Sequence, residues 1–297
     1  MTSIDKRPNV FLAGAPKCGT TSLANWLAAH PQCYVSSPKE PHFFGDFLRK
    51  RMTLDQYDKL FAEAGPAQKV RIDASTSYFT IPYAIAEILE YRPDARFVVM
   101  LRNPVDLVYS LYSEVFYGGA ETASSFEDAW RLQKDRKQGT GIPLSCNNPS
   151  MLFYRDQALL GQAMSNLLEQ VGRERVHWIF TEDLKHDPQR CYRDVLEFLG
   201  LDDDGREAFP VMNRAKRHKY PAMNRALRTL GLWRSRLGLP GFGIRTALNR
   251  KAKVEAKREP LSEEFRRELY SSFEEDIHLL EQLTGRDLSG WAPKHST

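Results

Sequence analysis

No stretch of the 297 residues approaches the ~20 consecutive apolar positions that a bilayer-spanning helix needs, so a membrane-embedded helical protein is not expected. Cysteine is scarce. Cys18, Cys33, Cys146 and Cys191 stand without pairing rhythm or a CxxC spacing, which argues against a disulfide framework and for a reducing compartment. The seven histidines form no HxxxH or HExxH group, so no metal is expected. Internal repeats and low-complexity tracts are missing, and "MTSIDKRPNV" runs straight into the first expected strand, leaving no room for a leader. Acid is missing from one place: residues 214–258 hold fourteen Lys or Arg against Glu255 alone, while the whole chain carries only +4. That segment is equipped to meet an anionic surface. The expectation is a soluble, cytoplasmic protein of unread oligomeric state.

What is present is a 42% hydrophobic chain with a repeating order. The apolar runs at 9–14, 69–74, 95–102 and 175–180 read as strands buried on both faces, and helical patterns occupy 20–30, 53–64, 82–91, 104–117 and 155–171. Alternation of this kind predicts an α/β, three-layer fold: a central, mainly parallel sheet flanked by helices, with ligands at the carboxyl ends of the strands. A single domain over 1–297 is expected, with 1–117 and 151–221 as the core and the turn-rich 118–150 inserted over it around one short helix. Residues 222–258 read as two basic amphipathic helices broken at "GLPGFG", and 259–297 as a C-terminal packing segment whose helix carries Leu261, Phe265, Leu269 and Phe273 on one stripe.

Two strand ends carry the chemistry. In "FLAGAPKCGTTSLANWL" (11–27) a strand ends at Gly14, a small-residue loop follows, and Thr20, Thr21 and Ser22 open a helix. Such a loop presents backbone N–H groups and the positive end of a helix dipole to an anion. The lysine of a Walker loop stands directly before the final Ser or Thr; here Lys17 lies inside the loop instead. The bland alternative is an ordinary strand-to-helix turn with Thr20 or Thr21 as cap. In "VVMLRNPVDLVYSLY" (98–112) Arg102 closes a strand and Ser110 follows on a helix. A guanidinium grips a phosphate bidentately, and the bland alternative is a salt bridge to Asp106.

"GAPKCGTTSLANWLAAHP", "SSPKEPHFF" and "LRNPVDLVYSLY", in that order, resemble the sulfotransferases that use 3′-phosphoadenosine 5′-phosphosulfate (PAPS), especially the heparan sulfate type and its bacterial relatives. The resemblance implies a P-loop-like fold and metal-independent transfer of a sulfuryl group to a hydroxyl or amine of a small-molecule, carbohydrate or lipid acceptor, with adenosine 3′,5′-bisphosphate released. It implies that Lys17, Cys18, Gly19, Thr20, Thr21 and Ser22 hold the 5′-phosphosulfate, and that Arg102 and Ser110 hold the 3′-phosphate. Lys17 would stabilise the departing phosphate oxygen, the electrostatic strategy of group transfer. Glu40 would be the general base, with His42 the second candidate, and Lys39 an assistant or a solvated charge.

The chain departs from the family pattern in two places. "DASTSYF" (73–79) has Ala74 where heparan-type enzymes have a lysine, and "NRAKRHKYP" (213–221) has His218 where an arginine belongs, leaving Lys216 and Arg217 to approach the 3′-phosphate. Tyr154, Trp178 and Trp291 read as core or edge aromatics rather than adenine platforms, and Cys18 as a small filler. Nucleic acid is not an expected partner. Two other readings stay open: a P-loop kinase with Asp73 as its metal-binding acid, and a non-catalytic module that binds polyanions or an anionic membrane through 214–258.

Overall fold

Runs of apolar, largely β-branched or aromatic residues set the sheet. The structure, a computed structural model, describes residues 5–45, 52–212, 216–218, 221–236, 253–255 and 259–293. Five strands, β1 (Val10–Gly14), β2 (Cys33–Val35), β3 (Val70–Asp73), β4 (Arg96–Leu101) and β5 (Val176–Phe180), pair in the order β2-β3-β1-β4-β5, every neighbour parallel. β1 and β3 are buried at all positions, as strands covered on both faces must be. Phe11 and Phe97, both wholly buried, stack with centroids 5.7 Å apart across the β1–β4 pair, and each contributes about 1.5–3 kcal/mol of burial. The expected fold class is the one found. The short strand β2 was not foreseen because "CYV" is too brief to show a period.

Helices α1 (Thr20–Ala28), α2 (Leu54–Lys59), α3 (Pro82–Tyr91) and α4 (Pro104–Tyr117) fall where the periodicity placed them, α2 being shorter. The short α5 (Phe126–Arg131) and α6 (Gln133–Lys137) occupy the turn-rich stretch, where one helix was expected. α7 (Leu160–Val171) starts later than predicted, after a 3-10 turn at Asp156–Ala158. α8 (Thr181–His186) and α9 (Pro188–Leu199) complete the sheet's helical cover. α9 has legible ends: Asp187 accepts from the Arg190 N–H, Pro188 is the first residue, and Gly200 closes it in the left-handed region at φ 69°. In the basic segment, β6 (Lys216–His218) and β7 (Lys253–Glu255) pair antiparallel around α10 (Pro221–Arg236). The first of the two expected basic helices is therefore present. Where the second was expected, Lys253–Glu255 is a strand, its Val254 opposite Arg217, and the remainder of 237–258 lies outside the described residues. α11 (Glu263–Thr284) is the C-terminal helix, with Phe265, Leu269 and Phe273 of the predicted stripe buried, whereas Leu261 precedes the helix and is half-buried. Among the described residues no helix is long and apolar enough to cross a membrane.

The chain divides into two compact units. The first comprises residues up to Asn103, Leu159–Met212 and Phe273–Trp291, and contains the whole parallel sheet. The second comprises Pro104–Ala158, Asn213–Ser272 and the C-terminal residues from Ala292. It begins with α4, ahead of the expected insertion at 118. Its centre is polar: Arg136 and Glu121, both without solvent-exposed side-chain area, form a two-pronged ion pair at 2.6 and 2.7 Å, and the Tyr154 hydroxyl donates to the same carboxylate at 2.7 Å. Burial pushes the Glu121 carboxyl up, but the bonds from Arg136, the Ala123 N–H and Tyr154 more than offset it and hold the group below its ordinary value. This pair staples the turn-rich segment 118–150 to the Tyr154 side of the unit.

Removing one partner of such a pair strands the other charge. Glu121→Ala is expected to destabilise the protein by about 3–5 kcal/mol, read from the shift in denaturant midpoint, while Glu121→Ala with Arg136→Met should recover a large part of the loss.

Candidate active site

The strand order places the site. From β1 the chain passes toward β2 on one side, whereas from β4 it passes toward β5 on the other, so β1 and β4 are adjacent strands whose following loops diverge. Open parallel sheets receive ligands outside the carboxyl ends at such a switch point. The two sequence motifs with cations follow these two strands. Arg102 donates from its terminal nitrogen to the Lys17 carbonyl at 2.9 Å, which ties the end of β4 to the loop after β1. Thr181, at the start of α8, donates to the Leu101 carbonyl at 2.8 Å and lies 3.3 Å from that of Cys18, closing the same loop from the far side.

At the entry of α1, Gly19 is left-handed at φ 96° and no side chain caps the helix, nor does an acid stand in its first turn. Two other helix starts of the first unit are filled: Asp276 accepts from the Gly161 and Gln162 N–H groups at 2.9 Å each, and Asp187 caps α9. The start of α1 therefore keeps the positive end of its dipole for an anion. Thr20 is buried and Thr21 partly exposed at this turn. The Ser22 hydroxyl accepts the Met212 N–H at 3.0 Å. The Cys18 side chain is wholly buried, its thiol pushed up to about 12 by burial, so only backbone is left for it to offer a ligand.

The second half of the site hangs from β3. Asp73, wholly buried at that strand's end, accepts hydroxyl bonds from Tyr57 (2.7 Å), Tyr78 (2.9 Å) and Ser75 (2.6 Å). Burial raises its carboxyl above the ordinary range against the pull of these donors. Two of the hydroxyls pass the constraint on. Ser75 Oγ accepts the His42 N–H at 2.9 Å and Tyr78 Oη accepts the Phe43 N–H at 2.9 Å, so the loop "KEPHFF" is suspended from Asp73. Phe44 packs edge-on to Phe11 of β1 at 6.0 Å and anchors the loop in the core.

Glu40 sits at the open side of this loop. Lys39 Nζ donates to its Oε1 at 2.7 Å, and its Oε2 accepts from Thr76 Oγ1 at 3.1 Å and faces His42 Nε2 at 3.1 Å. His42 Nδ1 is in turn 2.8 Å from Ser77 Oγ. Burial raises the Glu40 carboxyl, but the His42 bond and the charge and bond of Lys39 prevail and lower it to about 2. Gly14 joins the two halves: with φ 152°, it lies so close to the next loop that a Cβ there would be 2.7 Å from the Thr76 carbonyl oxygen. Thr76 thus touches both the phosphate-type loop and the carboxylate. Among the described residues the backbone turns left-handed at three non-glycine positions, Lys17 (φ 65°), Glu40 (φ 62°) and His42 (φ 47°). Each costs on the order of 1 kcal/mol or more and persists where surrounding structure over-determines it, as at active sites.

The other sequence-derived candidates sit on other elements. Ser110 is buried on α4, in the second unit. Lys216 and Arg217 are described only as backbone of β6, and their side chains lie outside the described residues. Tyr154 is in the buried polar centre; Trp178 carries the Arg173 guanidinium 3.5 Å from its ring centre; Trp291 donates to Glu182 at 3.2 Å. Tyr154 is fully buried, and Trp178 and Trp291 are half-buried. Asp73, the acid of the kinase reading, is occupied by its three hydroxyl donors, and Arg102 bonds to the loop instead of pairing with Asp106, which accepts from Arg266 at 3.0 Å. The sequence reading missed Ser75, Thr76, Ser77, Tyr78 and Thr181. The signal of the first four was present in the hydroxyl-rich "STSY", one residue beyond an acid-ended strand; Thr181 had none.

Comparison with known proteins gives the family. Residues 7–281 match the family model described as "Sulfotransferase domain", and the chain belongs to that family. The chain is 24% identical over 208 residues, 65% of its length, to the bifunctional heparan sulfate N-deacetylase/N-sulfotransferase 1 of Caenorhabditis elegans. To human carbohydrate sulfotransferase 15 it is 28% identical over 165 residues, 41% of its length. The matched regions span 22% and 29% of those two proteins. The crystal structure of a sulfotransferase from Alicyclobacillus acidocaldarius superposes with a TM-score of 0.70 at 28% identity, covering 96% of this chain and 98% of the other.

The depressed Glu40 group fixes a direction for stability. Its folded value, about 2, lies below its ordinary 4.5, so its contribution is complete above 4.5 and lost as the pH falls toward 2. Thermal midpoints measured through that window should fall less steeply for Glu40→Gln than for the wild type, and the two curves should run parallel above it.

Proposed function

We propose that this protein is a PAPS-dependent sulfotransferase acting on a hydroxyl or amine of a small-molecule, carbohydrate or lipid acceptor. The observation that carries the reading is the bond from Arg102 to the Lys17 carbonyl, which holds two cations at neighbouring strand ends in front of an uncapped helix start. The residues fit a nucleotide with two anionic ends: glycines at 14 and 19, no acid in the first turn of α1, and both a lysine and an arginine. Bound there, PAPS supplies the sulfuryl group, its S–O bond to the 5′-phosphate breaking as the bond to the acceptor forms and adenosine 3′,5′-bisphosphate leaves.

The chain's own residues divide the work. The α1 start and Lys17 neutralise charge on the phosphate that departs. Lys17 is the cation for this role because its left-handed backbone fixes where the side chain leaves the loop. Arg102, with Ser110, Lys216 and Arg217, is assigned to the 3′-phosphate. Glu40 takes the acceptor's proton at Oε1, the oxygen it shares with Lys39, while Oε2 remains held by Thr76 and His42. Because a carboxylate near 2 is a weak base, it serves a proton that becomes acidic as the new bond forms. His42, bonded at both ring nitrogens, positions Glu40 in this reading. A reducing, cytoplasmic setting accords with four cysteines that are all buried free thiols.

Lys17→Ala is expected to lower turnover by about 10²–10³-fold in a labelled-PAPS transfer assay. Arg102→Lys should weaken binding of adenosine 3′,5′-bisphosphate by roughly tenfold or more by calorimetry, since a point charge does not replace a planar fork. Unchanged affinity in Arg102→Lys and unchanged turnover in Lys17→Ala would remove the assignment. With Glu40 as base, the acid limb of the rate profile belongs near 2 and is lost in Glu40→Gln; an acid limb that survives Glu40→Gln would transfer the role to His42.

A further inference from the structure

The basic segment has a two-sided helix. α10 contains Arg225, Arg228, Arg234 and Arg236 and no acid. One face of it is spoken for within the second unit. Asn224 donates to the Tyr117 carbonyl at 2.7 Å, and Arg228 donates to the Ser145 carbonyl and to Asn147 Oδ1, each at 2.7 Å. These two residues, one turn apart, hold α10 against the end of α4 and the "SCNN" turn. Successive residues rotate by about 100°, so Ala226, Leu230 and Trp233 share the opposite side. All three are exposed, Leu230 by 59% and Trp233 by 61%. On the same wheel Arg225 and Arg234 fall at the two borders between the docked and outer faces.

A helix with basic borders and a Leu/Trp outer stripe has the build of an interfacial helix, whose apolar face enters the headgroup layer while cations meet lipid phosphates. We infer that α10 docks the protein on an anionic bilayer surface through Leu230 and Trp233. The charge complement is large: residues 214–258 carry +13. Charge alone fits a soluble polyanion equally well, but a polyanion gives no return for burying Leu230 and Trp233, and a bilayer does. The inference stands independently of the sulfotransferase reading.

The test is sedimentation of the full chain with vesicles of phosphatidylcholine, with and without phosphatidylglycerol. The wild type should sediment with the anionic vesicles and be released by raised salt. Leu230→Ser with Trp233→Ser should weaken that binding on the order of 10²-fold with an unchanged melting curve, both positions being exposed. Failure of the wild type to bind, or equal binding by the double variant, overturns the inference. So does heparin binding that is tighter than vesicle binding and indifferent to the double variant, which would identify a polyanion site instead. Transfer activity on a soluble acceptor should be the same in both proteins, so loss of docking and loss of catalysis remain separable.

Discussion

A buried carboxylate sets the geometry of the candidate site. Asp73 ends a parallel strand with no exposed surface, and three hydroxyls supply the bonds that water no longer can. Tyr78 and Ser75 are used at both ends, donating to Asp73 and accepting from the backbone that carries His42 and Phe43. The loop bearing Glu40 is thus positioned by main-chain bonds from below, leaving its side chains to address whatever lies above. Loss of the Ser75 or Tyr78 hydroxyl unsettles two bonds, which is why a polar cluster of this kind is either complete or costly.

The two halves of the site use the same economy. At Lys17, Glu40 and His42 the backbone is left-handed without the glycine that would make this cheap. Around each, a dense set of bonds holds the conformation: Arg102 to the Lys17 carbonyl, Thr76 to Glu40, Ser75 and Ser77 to His42. Conformational strain falls at the same three positions whose side chains the resemblance to PAPS-dependent sulfotransferases singles out. The second unit follows different physics, with a buried Arg–Glu–Tyr centre in place of a strained loop.

Much of this was legible in the sequence. Long apolar runs bounded by turn residues announced β1, β3, β4 and β5, because strands buried on both faces leave no polar position to blur them. β2 is three residues long and carries no such signal. At the site, Lys17 and Arg102 could be named because cations at strand ends are rare in a buried sheet. The roles of Ser75, Thr76 and Ser77 could not, since a hydroxyl's partner depends on which strand lies beside it, and only the order β3-β1-β4 brings residue 76 against Gly14. The partner of Ser22 was hidden for the same reason: its hydroxyl accepts from residue 212, nearly two hundred positions away. Where strand and helix compete in the basic segment, residues 253–255 are drawn into a pairing with 216–218 that no local pattern reveals.

Arg102 grasps a peptide oxygen, a group that every residue type provides. The tether between the two strand ends is consequently written in main chain and is blind to the identity of residue 17. Evolution can therefore exchange the chemical group at that position while the scaffold that aims it stays in place.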